Sequence, residues 1–163
     1  MGAVREWVYP NAKKDNPMLL GIIKNTKGDD IPEPNRERGI NCHITEDWHE
    51  WDWVPEVVDF IAWLEEVTEM EVDDLWGVHY ENKGAIKWHS HHSLSGSTHS
   101  FAYYVNTPPN SSAICFARDP NDSDTWVSIP VQEGHLLVWE CELPHSVPPS
   151  DHDGRCVISG NLK

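Results

Sequence analysis

The second half of the chain consists of short apolar segments separated by turn signals. From Leu75 onwards, segments rich in Val, Ile, Tyr, Phe and Trp alternate with Pro- and Asp-containing turns, and no helical pattern lies between them. The predicted strands are Leu75–Glu81, Ala85–His89, Ser100–Asn106, Ser112–Ala117, Thr125–Pro130, His135–Glu140, Ser146–Val147 and Cys156–Asn161. Short strands at this spacing predict an antiparallel sandwich or barrel, and 163 residues fit a single domain.

The first 74 residues lack this pattern, and residues 1–40 predict mostly irregular structure. Within them, Met18–Ile23 (MLLGII) predicts a short buried strand. Asp29–Arg38 (DDIPEPNRER) predicts a mobile loop, because prolines interrupt it. The expected organisation is therefore one domain, residues 1–163, with an irregular N-terminal part, residues 1–74, and a β core, residues 75–163.

One amphipathic helix is predicted in the N-terminal part, at about residues 55–68. Pro55 suits the first turn of a helix, and Asp52 is a candidate cap before it. The apolar residues that fall at helical spacing on one face are Val57, Phe60, Ile61, Leu64 and Val67. Such a face has to be buried, so we expect the helix to cover one outer face of the β-sheet.

The chain carries a formal charge of −15, which argues against several classes of partner. General binding to nucleic acid or to an anionic membrane needs clustered Lys and Arg. The charge is concentrated in residues 39–82, which contain 13 acidic residues and no Lys or Arg. This anionic segment is either a solvated surface or a docking face for a cationic partner. No apolar stretch of the sequence is long enough to span a bilayer.

The N-terminus and the cysteines predict a cytoplasmic protein. The start, MGAVREWVYPNAKKD, has no continuous apolar stretch after a basic head, which a secretory signal would need. The four cysteines form no C-x-x-C pair, and three lie in apolar runs, which favours reduced thiols. The sequence leaves homodimer formation open.

Histidines cluster in the segment WHSHHSLSGSTHS and recur after a later predicted strand. Residues i and i+2 of a strand point to the same face, so His89 and His91 aim two imidazoles at one point, and a jelly roll can bring His145 beside them. Three neutral ring nitrogens suit iron, zinc, copper or nickel. The alternative is an exposed histidine-rich loop, and His92 and His99 are expected at the surface or behind the site.

Arg155 follows His145 by ten residues and opens the predicted strand RCVISGN. A guanidinium can hold a carboxylate through two parallel hydrogen bonds. A metal-binding His and a strand Arg in this relation can bind an acid that chelates the metal at one end. The alternative is a surface ion pair between Arg155 and Asp151 or Asp153.

With these motifs, the run from about Leu75 to Leu162 resembles the iron(II)/2-oxoglutarate-dependent oxygenase superfamily. It is most similar to a small, mostly uncharacterised group of these oxygenases that is common in marine bacteria and their phages. The matching pieces, in order, are His89-Ser90-His91, SFAYYVN, SSAICF, PVQEGHLLVWECELPHSVPP and RCVISGN. The resemblance rests on the order of these pieces and on the spacing from His145 to Arg155.

The resemblance implies a mainly β fold with a packed helix, a double-stranded β-helix (jelly roll, cupin-like). It implies an oxidoreductase, a dioxygenase that uses Fe(II) and 2-oxoglutarate to hydroxylate an unknown substrate, releasing succinate and carbon dioxide. The iron ligands and catalytic residues would be His89, His91 and His145. The residues implied for the co-substrate are Arg155 at its distal carboxylate, Tyr103 or Tyr104 in the same pocket, and Asn161 at a polar position of the last strand. The location would be the cytoplasm of a bacterium or of an infected host cell.

The chain also departs from the superfamily pattern. The usual metal motif has Asp or Glu where this chain has His91, so either three imidazoles bind the metal or another acid, such as Glu81 or Asp151, completes the site. His91 is too large to leave room for a halide, which argues against halogenation. Val157 stands where relatives often have Ser or Thr, which removes one hydrogen bond to 2-oxoglutarate.

Two other functions remain open at this stage. One is a cupin-like three-histidine metalloenzyme in which Arg155 is structural and 2-oxoglutarate plays no part. The other is a jelly-roll binding or structural module. The excess of Trp, with Trp48, Trp51 and Trp53 in the anionic segment and Trp88 beside the metal motif, is expected to serve packing or to line a substrate cleft.

Overall fold

The computed structural model describes residues 4–31, 39–91, 96–150 and 153–163 of the chain. Its helices and strands, in chain order, are β1 (Arg5–Val8), α1 (Ala12–Asn25), β2 (Gly28–Ile31), β3 (Gly39–Thr45), α2 (Pro55–Thr68), β4 (Val72–His89), β5 (His99–Asn106), β6 (Ile114–Ala117), β7 (Trp126–Ile129), β8 (His135–Glu140), β9 (His145–Val147) and β10 (Cys156–Leu162). Two short 3-10 turns lie at Trp48–Glu50 and Ser123–Thr125.

The strands form one curled antiparallel sheet in the order β1-β8-β5-β10-β4-β9-β6-β7, while β3 also pairs with β4 and β2 with β3. Strand β4 belongs to both layers of the fold. Its first half pairs with β10, from Val72 to His79, and its second half pairs with β9 at Ile86 and His89. The predicted fold class, a mainly β jelly roll with a packed helix, is confirmed.

The two predicted strands Leu75–Glu81 and Ala85–His89 are one continuous strand, β4. The turn-forming residues between them are accommodated inside the strand, where Lys83 has a φ of 60° and a Cβ on Gly84 would lie 2.7 Å from the carbonyl oxygen of Asn41. Pairing with β3 runs across this irregularity, so β4 continues although its partner on the other side changes from β10 to β9.

The prediction of a strand at Met18–Ile23 is wrong, because these residues lie in helix α1. A six-residue apolar run fits a strand or a buried helix segment equally well, and tertiary packing decides between them. Here Leu19 and Ile23, four residues apart, are buried against the sheet, while Met18 remains 47% exposed. Gly77 of β4 makes room for Ile23, since a Cβ there would lie 2.5 Å from the Ile23 side chain.

The expectation of irregular structure over residues 1–40 is also wrong. Strand β1 pairs with β8 at the edge of the sheet, and β3 pairs with β4. Residues 29–31 of the predicted mobile loop belong to strand β2 (Gly28–Ile31), and residues 32–38 lie outside the described residues. The β core therefore includes strands from the N-terminal part of the chain.

Helix α2 spans Pro55–Thr68, as predicted, with Pro55 in its first turn. Its buried residues are Val57, Phe60, Leu64 and Thr68, and Ile61 and Val67 are partly buried beside them. Asp52 does not cap the helix, which is a correction: Val54 precedes the first turn, and an Asp52 carboxylate oxygen lies 2.8 Å from His49 Nδ1 instead.

The sheet is covered on both faces. Helices α1 and α2 pack on one face with Phe101, Tyr103 and Ile158 of the central strands. Alternate residues of the same strands, such as Tyr104 and Val157, point into the space between the two layers. None of the helices in the described part of the chain combines the length and the apolar character that a membrane span requires.

Candidate functional site

Three histidines converge between the two layers of the fold. His89 ends β4 and stands directly opposite His145, the first residue of β9. His91 follows β4 by two residues, and each of the three rings offers one nitrogen within 4.8 Å of the others. The ring centroids are 4.2 Å apart for His89 and His145, 5.1 Å for His91 and His145, and 5.3 Å for His89 and His91. The structure thus brings together the three histidines that the sequence singled out.

Hydrogen bonds set the proton positions on two of these rings. His89 Nδ1 lies 2.7 Å from the Lys87 carbonyl oxygen, and His145 Nδ1 lies 3.0 Å from the Leu143 carbonyl oxygen. A carbonyl oxygen only accepts, so in the neutral rings Nδ1 carries the proton and donates it. Nε2 is then the unprotonated nitrogen of each ring, and an unprotonated imidazole nitrogen is the form that binds a metal.

Burial keeps His145 neutral. Its side chain is enclosed, and Trp139 packs against it with ring centroids 4.9 Å apart. The pKa of His145 is lowered to about 3, mainly by removal from water and in addition by the nearby rings of His89 and His91, while the Leu143 carbonyl opposes this shift. The ring therefore offers an uncharged nitrogen at physiological pH.

The three histidines open onto a cavity of about 520 Å³ that lies between the layers. Its walls are mostly apolar or aromatic, and two charged residues line them, Asp74 and Arg155. The apolar and aromatic wall residues include Ile44, Trp76, Val78, Tyr80, Ile86, Tyr104, Ile114, Trp139, Val147 and Val157. Sequence reasoning missed Trp76, Tyr80 and Trp139. The alternation of residues along β4 and β8 is the signal that groups them on the inner face.

Arg155 lies in this cavity wall and is 2% exposed. Its Nη1 donates to the Ser112 carbonyl oxygen at 2.5 Å and lies 3.2 Å from Ser112 Oγ. Its Nε and Nη2 are buried and have no hydrogen-bond partner among the described residues. The guanidinium lies over two aromatic rings, 5.3 Å from the Tyr80 centroid and 5.6 Å from that of Tyr104. Ser112, the residue that holds one edge of the guanidinium, carried no signal in the sequence.

Of the two tyrosines expected in the pocket, the structure places Tyr104 there and Tyr103 elsewhere. Tyr103 points to the helix-covered face, where its hydroxyl donates to Asn16 Oδ1 at 2.6 Å. This corrects the expectation for Tyr103, and the reason is that neighbouring strand residues face opposite sides of a sheet. Burial raises the pKa of Tyr104 to about 12, so its hydroxyl stays protonated beside Arg155.

Asn161 lines the cavity at the far end of β10 from Arg155. Its Oδ1 lies 2.6 Å from His91 Nδ1 and 3.1 Å from Ser100 Oγ. The structure therefore places Asn161 against a histidine of the cluster rather than beside the guanidinium.

Of the two acids considered as completing the site, Glu81 is exposed and lies outside the cavity wall. The other acid, Asp151, and the histidine His92 lie outside the described residues. His99 is half-buried on β5, and its Nδ1 lies within hydrogen-bond distance of Thr98 Oγ1. Val157 lines the cavity, as its position on the strand requires. The Trp residues differ in their surroundings. Trp51 is in the core, Trp53 is 71% exposed, and Trp88 contacts Trp126.

No protein-family model matches the sequence, and no curated protein matches it. Solved structures do match. A prolyl-4-hydroxylase from Pseudomonas putida covers 100% of this chain and 93% of its own, with a TM-score of 0.69 and 13% identity. The non-heme α-ketoglutarate-dependent epimerase SnoN of nogalamycin biosynthesis covers 99% of this chain and 78% of its own, with a TM-score of 0.74 and 12% identity.

The chain has the fold of the 2OG-Fe(II) oxygenases. A prolyl hydroxylase from Trichoplax adhaerens, in complex with a peptide fragment of the hypoxia inducible factor oxygen degradation domain, shares this oxygenase fold as well. It covers 98% of this chain and 83% of its own, with a TM-score of 0.72 and 11% identity. The predicted resemblance to the 2OG-Fe(II) oxygenase superfamily is thus confirmed at the level of the fold. Nothing in these matches supports the narrower assignment to the marine bacterial and phage group.

Proposed function

We propose that this protein is an iron(II)- and 2-oxoglutarate-dependent dioxygenase that hydroxylates its substrate. One observation carries the proposal: a buried guanidinium with two unpaired donors lines the same cavity as three convergent imidazoles. The shared fold with 2OG-Fe(II) oxygenases supports it.

The donors left over on Arg155 suit a carboxylate. Nε and Nη2 lie on the same edge of the guanidinium plane, so their N–H bonds run parallel and match the two oxygens of one carboxylate. Nη1, on another edge, is held by Ser112, which fixes the orientation of the plane. A buried cation without an anionic partner is costly, and a bound dianion offsets that cost.

Histidines 89, 91 and 145 would hold the iron. A set of imidazoles fits Fe(II) as well as Zn(II), Cu(II) and Ni(II), so the donor set agrees with iron without selecting it. When bound, iron supplies the redox chemistry that activates O2. The chain contributes neutral ring nitrogens, a guanidinium for the distal carboxylate of 2-oxoglutarate, and apolar walls that exclude water from the cavity.

The overall reaction balances as 2-oxoglutarate, O2 and a substrate C–H bond going to succinate, carbon dioxide and the corresponding alcohol. One oxygen atom enters the new carboxylate of succinate and the other enters the substrate. The two electrons lost by 2-oxoglutarate and the two lost by the C–H bond together reduce O2.

Calorimetric titration of the Fe(II)-loaded protein with 2-oxoglutarate under anaerobic conditions tests this function. Binding should be measurable for the wild type, abolished by Arg155→Ala, and unchanged by Arg118→Ala, which removes an exposed arginine. After admission of O2, consumption of 2-oxoglutarate should equal formation of succinate.

Two outcomes would replace the proposal with its rivals. If metal binds and 2-oxoglutarate has no effect, the protein is a three-histidine metalloenzyme in which Arg155 is structural. If His89→Ala and His145→Ala leave the metal content unchanged, the protein is a jelly-roll binding or structural module.

A further inference from the structure

His91 differs from the other two histidines in how its ring is held. His89 and His145 lie in paired strands, and each places Nδ1 on the main-chain carbonyl two residues before it, that of Lys87 or of Leu143. Those contacts depend on the backbone, so they persist whatever the neighbouring side chains are.

His91 lies beyond the end of β4, and side chains surround its Nδ1. Its main-chain N–H donates to the Cys141 carbonyl oxygen at 2.8 Å, which fixes the backbone. Its Nδ1 lies 2.6 Å from Asn161 Oδ1 and 2.8 Å from Ser100 Oγ, and these two oxygens are 3.1 Å apart. The three groups form a closed triangle, with Ser100 fully buried.

We propose that Asn161, supported by Ser100, is the positioning residue for His91. Ser100 Oγ–H donates to Asn161 Oδ1, and Asn161 Oδ1 accepts the Nδ1 proton of His91. This fixes both the ring orientation and the tautomer, so that Nε2 presents its lone pair toward His89 and His145. Trp76 packs on the same ring at a centroid distance of 5.6 Å and restricts its tilt.

A histidine ligand at position 91 needs such a partner, whereas a carboxylate ligand would not. A carboxylate ligand can turn either of two equivalent oxygens toward a metal, whereas an imidazole with the wrong tautomer or flipped by 180° presents an N–H. A histidine at this position therefore needs a partner that accepts a hydrogen bond from Nδ1. Residues that hold metal ligands in this way contribute substantially to metal affinity.

Strand β10 connects the Asn161–His91 contact with Arg155, the proposed binding residue for the co-substrate carboxylate. Asn161 faces the cavity in phase with Ser159 and Val157 of β10, and Arg155 continues the series just before the strand. One strand thus carries the group that orients a metal ligand and the group that binds the carboxylate. The inference rests on the proposed function only for the identity of the metal.

Two readouts that need no 2-oxoglutarate test it. The first is the set of ring nitrogen shifts of His91 in metal-free, 15N-histidine-labelled protein above pH 7.5. The wild type and Asn161→Asp should show the Nδ1–H tautomer, and Asn161→Leu with Ser100→Ala should show a mixture. The second is Co(II) affinity, which should fall about 10- to 100-fold in the double variant and be retained in Asn161→Asp.

Ser159→Ala is the matched control, because Ser159 lies on the same strand and the same face and contacts the same cavity. The inference is overturned if the double variant keeps both the tautomer and the affinity, or if Ser159→Ala changes them equally. If the double variant does not fold, Asn161→Ala alone replaces it, with a smaller shift expected because Ser100 remains. If the variants show these changes but the wild type does not bind 2-oxoglutarate, the proposed function is wrong and this inference still holds.

Discussion

His145 stands directly opposite His89 in the pairing of β9 with β4, and their ring centroids are 4.2 Å apart. Cross-strand neighbours on one face are the closest pairs that a sheet offers. Here the two paired residues are 56 positions apart in sequence. The cluster therefore forms only when both layers of the jelly roll are in place.

The first prediction is that His89 and His145 are both required for metal binding. After equilibrium dialysis against Fe(II) under anaerobic conditions, the wild type should retain one metal ion per chain by elemental analysis. His89→Ala and His145→Ala should retain close to none, because two imidazoles make an incomplete site. His99→Ala, a histidine on β5 outside the cluster, is the control and should behave as the wild type. Equal metal content in all four proteins would contradict the site.

The second prediction concerns the stability cost of Arg155. Arg155→Met keeps the length of the side chain and removes a buried charge, so without ligand the free energy of unfolding should rise by about 1–4 kcal/mol. With metal already bound to both proteins, saturating 2-oxoglutarate should further stabilise the wild type and leave Arg155→Met unchanged, since the guanidinium that would hold its carboxylate is gone. Urea unfolding followed by circular dichroism measures both. A less stable Arg155→Met would indicate that the arginine serves the fold rather than a ligand.

The third prediction tests the contact between α1 and the sheet. Gly77→Ala should destabilise the protein by about 1–3 kcal/mol, because the new methyl group meets the Ile23 side chain. Ile23→Ala leaves space at the same point, so the double variant should be more stable than the sum of the two changes by about 0.5–3 kcal/mol. Strict additivity in urea unfolding would show that α1 does not lie against Gly77.

The fourth prediction concerns helix α2. Phe60 is fully buried, and Phe60→Ala should lower the free energy of unfolding by about 3–5 kcal/mol. Val58 lies on the opposite face of the same helix and is 48% exposed, so Val58→Ala should change it by no more than about 0.5 kcal/mol. Similar effects of the two substitutions would mean that the buried face is misassigned.

The fifth prediction is a pH dependence that comes from His79. Burial lowers the pKa of His79 below its ordinary value of 6.5, and Lys24 lowers it further. The unfolded chain therefore binds a proton at a higher pH than the folded chain does. The stability that His79 contributes is complete above about pH 6.5 and is lost as the pH falls below it. The other titratable groups around the ring are His43, Glu81 and Asp153.

Urea unfolding at pH 7.5 and pH 5.5 measures this effect. The loss of stability between the two pH values should be smaller in His79→Gln than in the wild type, because the variant has no proton to gain at that position. His49→Gln is the contrast, since an Asp52 hydrogen bond raises the pKa of His49 and the sign is opposite. An unchanged loss in His79→Gln would exclude His79 as a source of the pH dependence.

Much of the candidate site could be predicted from local pattern. His89 and His91 have the strand spacing that puts two rings on one face, and Arg155 opens the predicted strand RCVISGN. The amphipathic helix of residues 55–68 was predicted from the spacing of its apolar residues, which is a property of the segment itself. Tyr103 and Tyr104, in contrast, were not separable by sequence, because their faces depend on which side of β5 the helices cover.

The sequence by itself determined the β-rich architecture, the helix α2 and the histidines and arginine that meet in the cavity, because periodicity and residue chemistry are local properties. Only the tertiary structure decided that Met18–Ile23 is helical, that β4 spans both layers, that Ser112 holds Arg155 and that Asn161 holds His91. Each of these depends on contacts between residues far apart in the chain. Such contacts exist only after the sheet has closed, and no local pattern encodes which partners it brings together.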